Sequence, residues 1–358
     1  MRFDYNTDYR QSFALLRHAQ SKIVYALLAL ALTAAPWVVS DFALGEMTYV
    51  LILCIASMGL MVLTGYTGQV SLGHAAFLAI GAYAHAWLLT QGTPLLLSLV
   101  LAALLCAVVG LALGFPAIRV SGLYLAMVTL AFSVIVTHVI GNWNSVTGGF
   151  TGLAVPPPEL MGLSLGSAKG FYGLCLVIAA LVLMGLANVL RSGIGRTFLG
   201  VRDSEAAAYS LGIPVAAVKV GAFALSAGLT GLAGGLLAHH TQYLTPDGFS
   251  LILSMELMLM VVIGGLGSLR GAIFGAVLIS LLPTFISQVK PLLPQQVSGQ
   301  FGLESFVFGA VLAVFVLFEP TGLNGRWLKL KALFENFPLY RRDTFRRNKR
   351  YMKSERYR

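Results

Sequence analysis

The chain has 358 residues, 57% of them hydrophobic and only 11% charged, with a mean hydropathy of +0.82. A soluble domain carries about 25% charged residues; fourteen acids and twenty-four bases cannot cover a water-facing surface of this size, and a soluble fold is excluded. The net charge of +10 gathers at one end, with twelve of the bases between Arg326 and Arg358. Beside a membrane span such a tail reads as a topology anchor that meets anionic headgroups, not as a nucleic-acid arm.

Apolar runs near 20 residues recur, the length that crosses a hydrocarbon core of about 30 Å. They predict an all-α, polytopic fold of about ten spans: 23–39, 47–65, 70–90, 94–114, 121–140, 172–190, 216–238, 249–266, 272–289 and 302–319. The domain plan is a cytoplasmic segment 1–22, a membrane domain 23–319 with a cytoplasmic loop 191–215, and a basic cytoplasmic tail 320–358. No small-residue cleavage site followed by a soluble domain comes after the first span, so it reads as a retained span, not a cleaved signal. Cytoplasmic segments keep Lys and Arg. With both termini inside, 22 of the 24 bases fall inside, and only Lys169 and Lys290 fall outside.

The junction of the second and third spans, Gly65-Tyr66-Thr67-Gly68-Gln69-Val70-Ser71-Leu72-Gly73-His74, reads as an interrupted helix. Small residues let helices approach closely in lipid. Gln69, Ser71 and His74 are polar where polarity is costly, so they line a wet path or satisfy backbone freed by the break. Cys54, Cys106 and Cys175 lie in expected spans without metal or disulfide spacing. The long outer loop Gly141–Gly170, nearly uncharged and holding Pro156-Pro157-Pro158, suits a folded lip against a partner or an ordinary connector.

The polar island Gly195–Pro214 reads as a short helix between spans. Asp203 or Ser204 can cap its start, and Glu205 sits where the helix dipole favours an anion. Ala206, Ala207 and Ala208 are strong helix formers; Gly212 can take the left-handed residue that ends a helix, and Pro214 prevents continuation. A capped, small-faced helix outside the membrane is a peg for another protein's socket, with Arg202 and Glu205 as rim charge. Further on, Glu256 lies mid-span, where a carboxylate faces protein or a cavity, not lipid; it serves in the path or braces a second break at Gly264, Gly265 and Gly267. The stretches Ser71–Phe77 and Ser268–Phe274 are loosely alike, a faint trace of duplication.

No catalytic constellation, phosphate loop, metal motif or haem motif is present, and Glu256 alone is thin support for a proton-coupled carrier, which keeps several ionisable groups in its spans. Taken together, Gly65–Phe77, Ser121-Gly122-Leu123-Tyr124-Leu125-Ala126-Met127-Val128-Thr129-Leu130-Ala131-Phe132, Asn142-Trp143 with Thr147-Gly148-Gly149, the Gly195–Pro214 loop, Met255-Glu256 and Val262–Ser268 resemble LivM-type permeases, the membrane subunits of bacterial ABC importers for branched-chain amino acids. The likeness runs from the second span to the tenth. The Gly195–Pro214 loop resembles the ATPase-coupling loop of importer permeases, with Ala206 where that motif has Glu and Glu205 one residue earlier.

The resemblance implies an ABC permease fold like that of the vitamin B12 and ribose importers, in the bacterial inner membrane. It implies a second, LivH-like permease, two cytoplasmic ATPases that hold ATP and Mg²⁺, and an external solute-binding protein. This chain itself would be no enzyme and need no cofactor or metal. Urea and short-chain amide permeases resemble the same family, and an ion-coupled carrier working alone is the reading from another class.

Overall fold

A computed structural model describes residues 19–160, 163–289 and 322–336, with six isolated positions between 306 and 317. The chain is almost wholly helical, as expected. The helices in chain order are α1 (Ala19–Val38), α2 (Asp41–Leu60, prolonged by a π-helical turn Met61–Tyr66), α3 (His74–Thr90), α4 (Leu95–Arg119) and α5 (Leu123–Asn142). After the 143–167 loop come α6 (Ala168–Arg191), α7 (Gly193–Asp203), α8 (Glu205–Ser210), α9 (Val215–Thr241), α10 (Leu251–Gly264), α11 (Leu269–Val289) and α12 (Gly322–Asn336). Each of the first nine expected spans coincides with a helix to within a few residues. Seven helices among the described residues are long and apolar enough to cross a membrane. Twelve of the eighteen residues of the tenth expected span, 302–319, fall outside the described residues, as do most of the expected N-terminal segment 1–22 and much of the tail 320–358.

Helix α9 is the hub, packed on α4, α3 and α2. Its approach to α3 is backbone on backbone: a Cβ at Gly81 would strike the carbonyl of Gly231, and one at Gly234 the carbonyl of Leu78. In lipid, where the tails are as apolar as any side chain, such small-residue contacts hold helices together through packing itself. Overpacking a contact of this kind costs about 1–3 kcal/mol or more. Helices α10 and α11 form a similarly tight hairpin, with Gly275 against the carbonyl of Met260 and Gly264 against that of Gly271. Around this centre, α4 turns Leu97, Val100, Leu104, Val108 and Phe115 outward, as lipid-facing helices do. The three cysteines are buried and free.

The helices alternate in direction and leave two distinct ends. At one, the 143–167 loop folds onto its own chain: Leu153–Ala154 pairs antiparallel with Tyr243–Leu244, Val155 N–H donates to the carbonyl of Gln242 at 2.9 Å, and Tyr243 Oη donates to the carbonyl of Thr151. The loop is folded, and within this chain it covers the α9–α10 connection. At the other end lie both glycine-rich breaks and the α7–α8 elbow.

Candidate functional site

The break between α2 and α3 is the most polar part of the membrane domain. Residues 68–73 leave the helical path, so their backbone groups need partners from elsewhere, because lipid supplies none. Helices α5, α9 and α10 each bring one hydroxyl to the break or to the first turn of α3. Leu72 N–H donates to Thr129 Oγ1 on α5 at 3.0 Å. Ala75 N–H, in the unsatisfied first turn of α3, donates to Ser254 Oγ on α10 at 3.0 Å. His74 stands between Ser71, whose Oγ is 3.0 Å from its Nδ1, and Ser226 on α9, whose Oγ is 2.7 Å from its Nε2. His74 and Ser71 are both fully buried, and both ring nitrogens of His74 are engaged, which is the geometry of a tie between α3 and α9.

Gln69 is also buried; its Nε2 donates to Thr67 Oγ1 at 3.3 Å, while its Oε1 has no partner among the described residues. Thr129, Ser226 and Ser254 were not singled out from the sequence. Their only signal is a lone hydroxyl in an apolar span, and it says nothing about which break that hydroxyl will reach.

The second break is a tight reversal between α10 and α11. Gly265 and Gly267 take φ of 109° and 80°, backbone that side-chain-bearing residues rarely adopt. Ser268 Oγ accepts from Gly271 N–H at 3.1 Å and donates to the carbonyl of Gly265 at 3.2 Å. The two breaks touch: Gly267 N–H points to Met61 Sδ at 3.3 Å, and a Cβ at Gly65 would lie 2.7 Å from Gly267 N. Gly264 serves the α10–α11 packing already described. Glu256 lies two turns above this reversal on α10, half-buried, and its carboxylate makes no hydrogen bond or ion pair among the described residues. It therefore makes no bond to the break.

The Gly195–Pro214 island forms two helices where one was expected. Chain direction changes at Ser204, whose Oγ accepts from Ala207 N–H at 3.3 Å and caps α8. Asp203 is not the cap; its Oδ1 accepts from Arg202 Nε and Nη2, each at 3.1 Å. The end of α8 follows the expectation closely. Gly212 has φ of 79°, Gly212 N–H donates to the carbonyl of Tyr209 and Ile213 N–H to that of Ala208, both at 3.0 Å, which is the paired closure of a Schellman motif.

The surface of the peg differs from the expected one. Ala206 and Ala207 are exposed, but Ala208 is 2% exposed and faces its own chain. Tyr209 and Leu211, 77% and 80% exposed, are the large apolar groups at the tip. Glu205 Oε1 is 2.7 Å from Lys219 Nζ, and the lysine side chain is only 4% exposed. Arg202 Nη1 donates to the carbonyl of Gly65 at 3.0 Å. The two charges expected on the rim thus have partners within the chain.

At the far end, His85 and His239 form a buried pair with their Nε2 atoms 2.9 Å apart, a feature the sequence reading missed because 154 residues separate them. A cavity of about 510 Å³ opens beside His239, lined also by Thr48, Pro156, Phe171 and Gln242. No group of three or more potential metal ligands occurs among the described residues.

Residues 42–316 match the family described as the permease component of the branched-chain amino acid transport system. The chain is 31% identical over 330 residues to the high-affinity branched-chain amino acid transport system permease protein LivM of Escherichia coli, covering 85% of this chain and 75% of the relative. It is 31% identical over 342 residues to LivM of Salmonella typhimurium, covering 87% and 77%. A probable branched-chain amino acid transport permease protein LivH of Methanocaldococcus jannaschii is 27% identical over 219 residues, covering 58% and 66%. No solved structure matches the chain. With a family match across most of its length, LivM relatives at 31% identity and a multi-pass helical bundle carrying the elbow and breaks, the chain belongs to the branched-chain amino acid transport system permease family and is a membrane permease subunit of an importer.

Proposed function

We propose that this chain forms, with a second permease, the membrane path of an ATP-driven importer for branched-chain amino acids. An external binding protein delivers the solute and two cytoplasmic ATPases power its passage. The observation that carries this reading is the elbow itself: α7 and α8 stand at the end where both glycine-rich breaks lie, and α8 is capped at its start, closed by Gly212 at its end, and tipped by exposed Tyr209 and Leu211. Interface energy concentrates in a few buried anchors, aromatic ones above all, so Tyr209 is the residue to seat in an ATPase groove, with exposed Ala206 and Ala207 permitting close approach. The elbow end is the cytoplasmic end in this reading, which the distribution of bases supports.

ATP and Mg²⁺ belong to the ATPase subunits. Closure of the ATPases moves the elbow, the elbow moves the breaks beside it, and the path opens alternately to either side. The LivM names of the relatives favour branched-chain amino acids over urea or amides. The test is uptake of labelled leucine and labelled urea by vesicles holding the chain with its partner permease, ATPases and binding protein. Leucine uptake that needs ATP and all subunits is the expected result. Urea uptake in its place would overturn the substrate, and uptake by this chain alone would overturn the ATP-driven reading.

A further inference from the structure

Arg202 carries the elbow to the helix breaks, and its guanidinium has partners on two sides. Nε and Nη2 both donate to one carboxylate oxygen, Asp203 Oδ1, at 3.1 Å; the arginine side chain is 35% exposed and the aspartate 69%. Nη1 is left pointing away from the elbow, and it donates to the carbonyl of Gly65 at 3.0 Å. That carbonyl belongs to the π-helical turn that closes α2, where helix-end carbonyls lack partners and the helix dipole favours a cation. The arginine stem covers Gly68, where a Cβ would stand 3.1 Å from Arg202 Cγ, and Nη1 lies against Gly267, where a Cβ would stand 2.8 Å away. One guanidinium therefore contacts the α2–α3 break and the α10–α11 reversal at the point where these touch each other.

We propose that Arg202 is the strut that transmits elbow movement to the two breaks, with Asp203 as the group that stiffens it. A long side chain free to rotate absorbs a displacement of a few ångströms. A planar fork bonded to a carboxylate on one side and a carbonyl on the other has less of that freedom, since its donors keep fixed directions. Movement of α7 then either pulls the end of α2 or breaks the bond to Gly65. Arg202 and Asp203 are positioning residues; they act through the backbone of the breaks and not by touching solute. The proposal rests on the ATP-driven reading given above.

The test uses the full complex in proteoliposomes, with labelled leucine and its binding protein. Arg202→Lys keeps the charge and loses the fork; Asp203→Asn keeps the shape and loosens the clamp. Two quantities are read: leucine transported per ATP hydrolysed, and recovery of ATPase subunits with the tagged permease. A strut predicts that the complex is recovered while leucine per ATP falls about tenfold in Arg202→Lys, the scale set by losing a hydrogen bond from a charged group, and falls less in Asp203→Asn. An unchanged ratio in both variants overturns the strut, and so does loss of the complex in both, which would make the pair a structural or docking element. If the wild-type complex transports leucine without ATP, the ATP-driven reading fails first, and that result is read before any variant is made.

Discussion

The ion pair between Glu205 and Lys219 makes an asymmetric prediction. The lysine side chain is 4% exposed and the glutamate 51% exposed, with Nζ and Oε1 2.7 Å apart. At an effective dielectric of about 20, charges at this distance attract by about 6 kcal/mol before desolvation is counted. Half of Glu205 is in solvent, so screening removes much of that. Glu205→Gln leaves a buried ammonium without a counter-charge, the costly way to break a pair; a net loss of about 1–3 kcal/mol follows once solvent screening is allowed for.

Lys219→Met removes the desolvated charge and leaves a carboxylate that water can reach, so its cost is under about 1 kcal/mol. The double variant should sit near Lys219→Met, with the coupling read from the cycle. Thermal unfolding of the purified chain in nanodiscs measures this, with Glu205→Gln lowering the midpoint by about 2–6 °C. If Lys219→Met is the more damaging single change, or if the double variant is as unstable as Glu205→Gln, the pair is not what holds α8 against α9.

On the peg, Ala207→Trp places a bulky ring on an exposed face and should reduce ATPase recovery at least tenfold with the permease still inserted, whereas Ala208→Trp should disrupt the elbow itself and lower the unfolding midpoint. Equal behaviour of the two variants in co-purification and unfolding would contradict the exposure pattern. Glu256→Gln keeps shape and an acceptor oxygen, and no ion pair of the described residues depends on its charge, so leucine uptake should stay within about twofold of wild type; a well-expressed but inactive variant would assign the charge to transport. Reporter fusions after Lys22, Ser167 and Lys331 should read inside, outside and inside, and a C-terminal fusion active outside would refute the orientation.

The sequence by itself determined the features that are local. Span positions follow from runs of apolar residues long enough for lipid, and nine expected spans meet helices. A cap at Asp203 or Ser204 and the left-handed Gly212 follow from hydrogen bonds reaching a few residues along the chain, and the structure settles the cap on Ser204. The break after Tyr66 was visible as polar and glycine residues inside an apolar run.

Only the tertiary structure decided what those features touch. Ser254 caps α3 from 179 residues away, Ser226 reaches His74 across 152, Arg202 reaches Gly65 across 137, and Ala208 turns inward while its neighbours Ala207 and Tyr209 do not. A helix of a soluble protein announces its buried face by an apolar stripe. In these spans the lipid-facing and protein-facing positions are both apolar, so the period carries no sign of which side is inside. The neighbours are chosen by where two backbones can approach, as at Gly81 and Gly231, and by which hydroxyl or guanidinium then lies within 3 Å of a backbone group that lipid cannot satisfy.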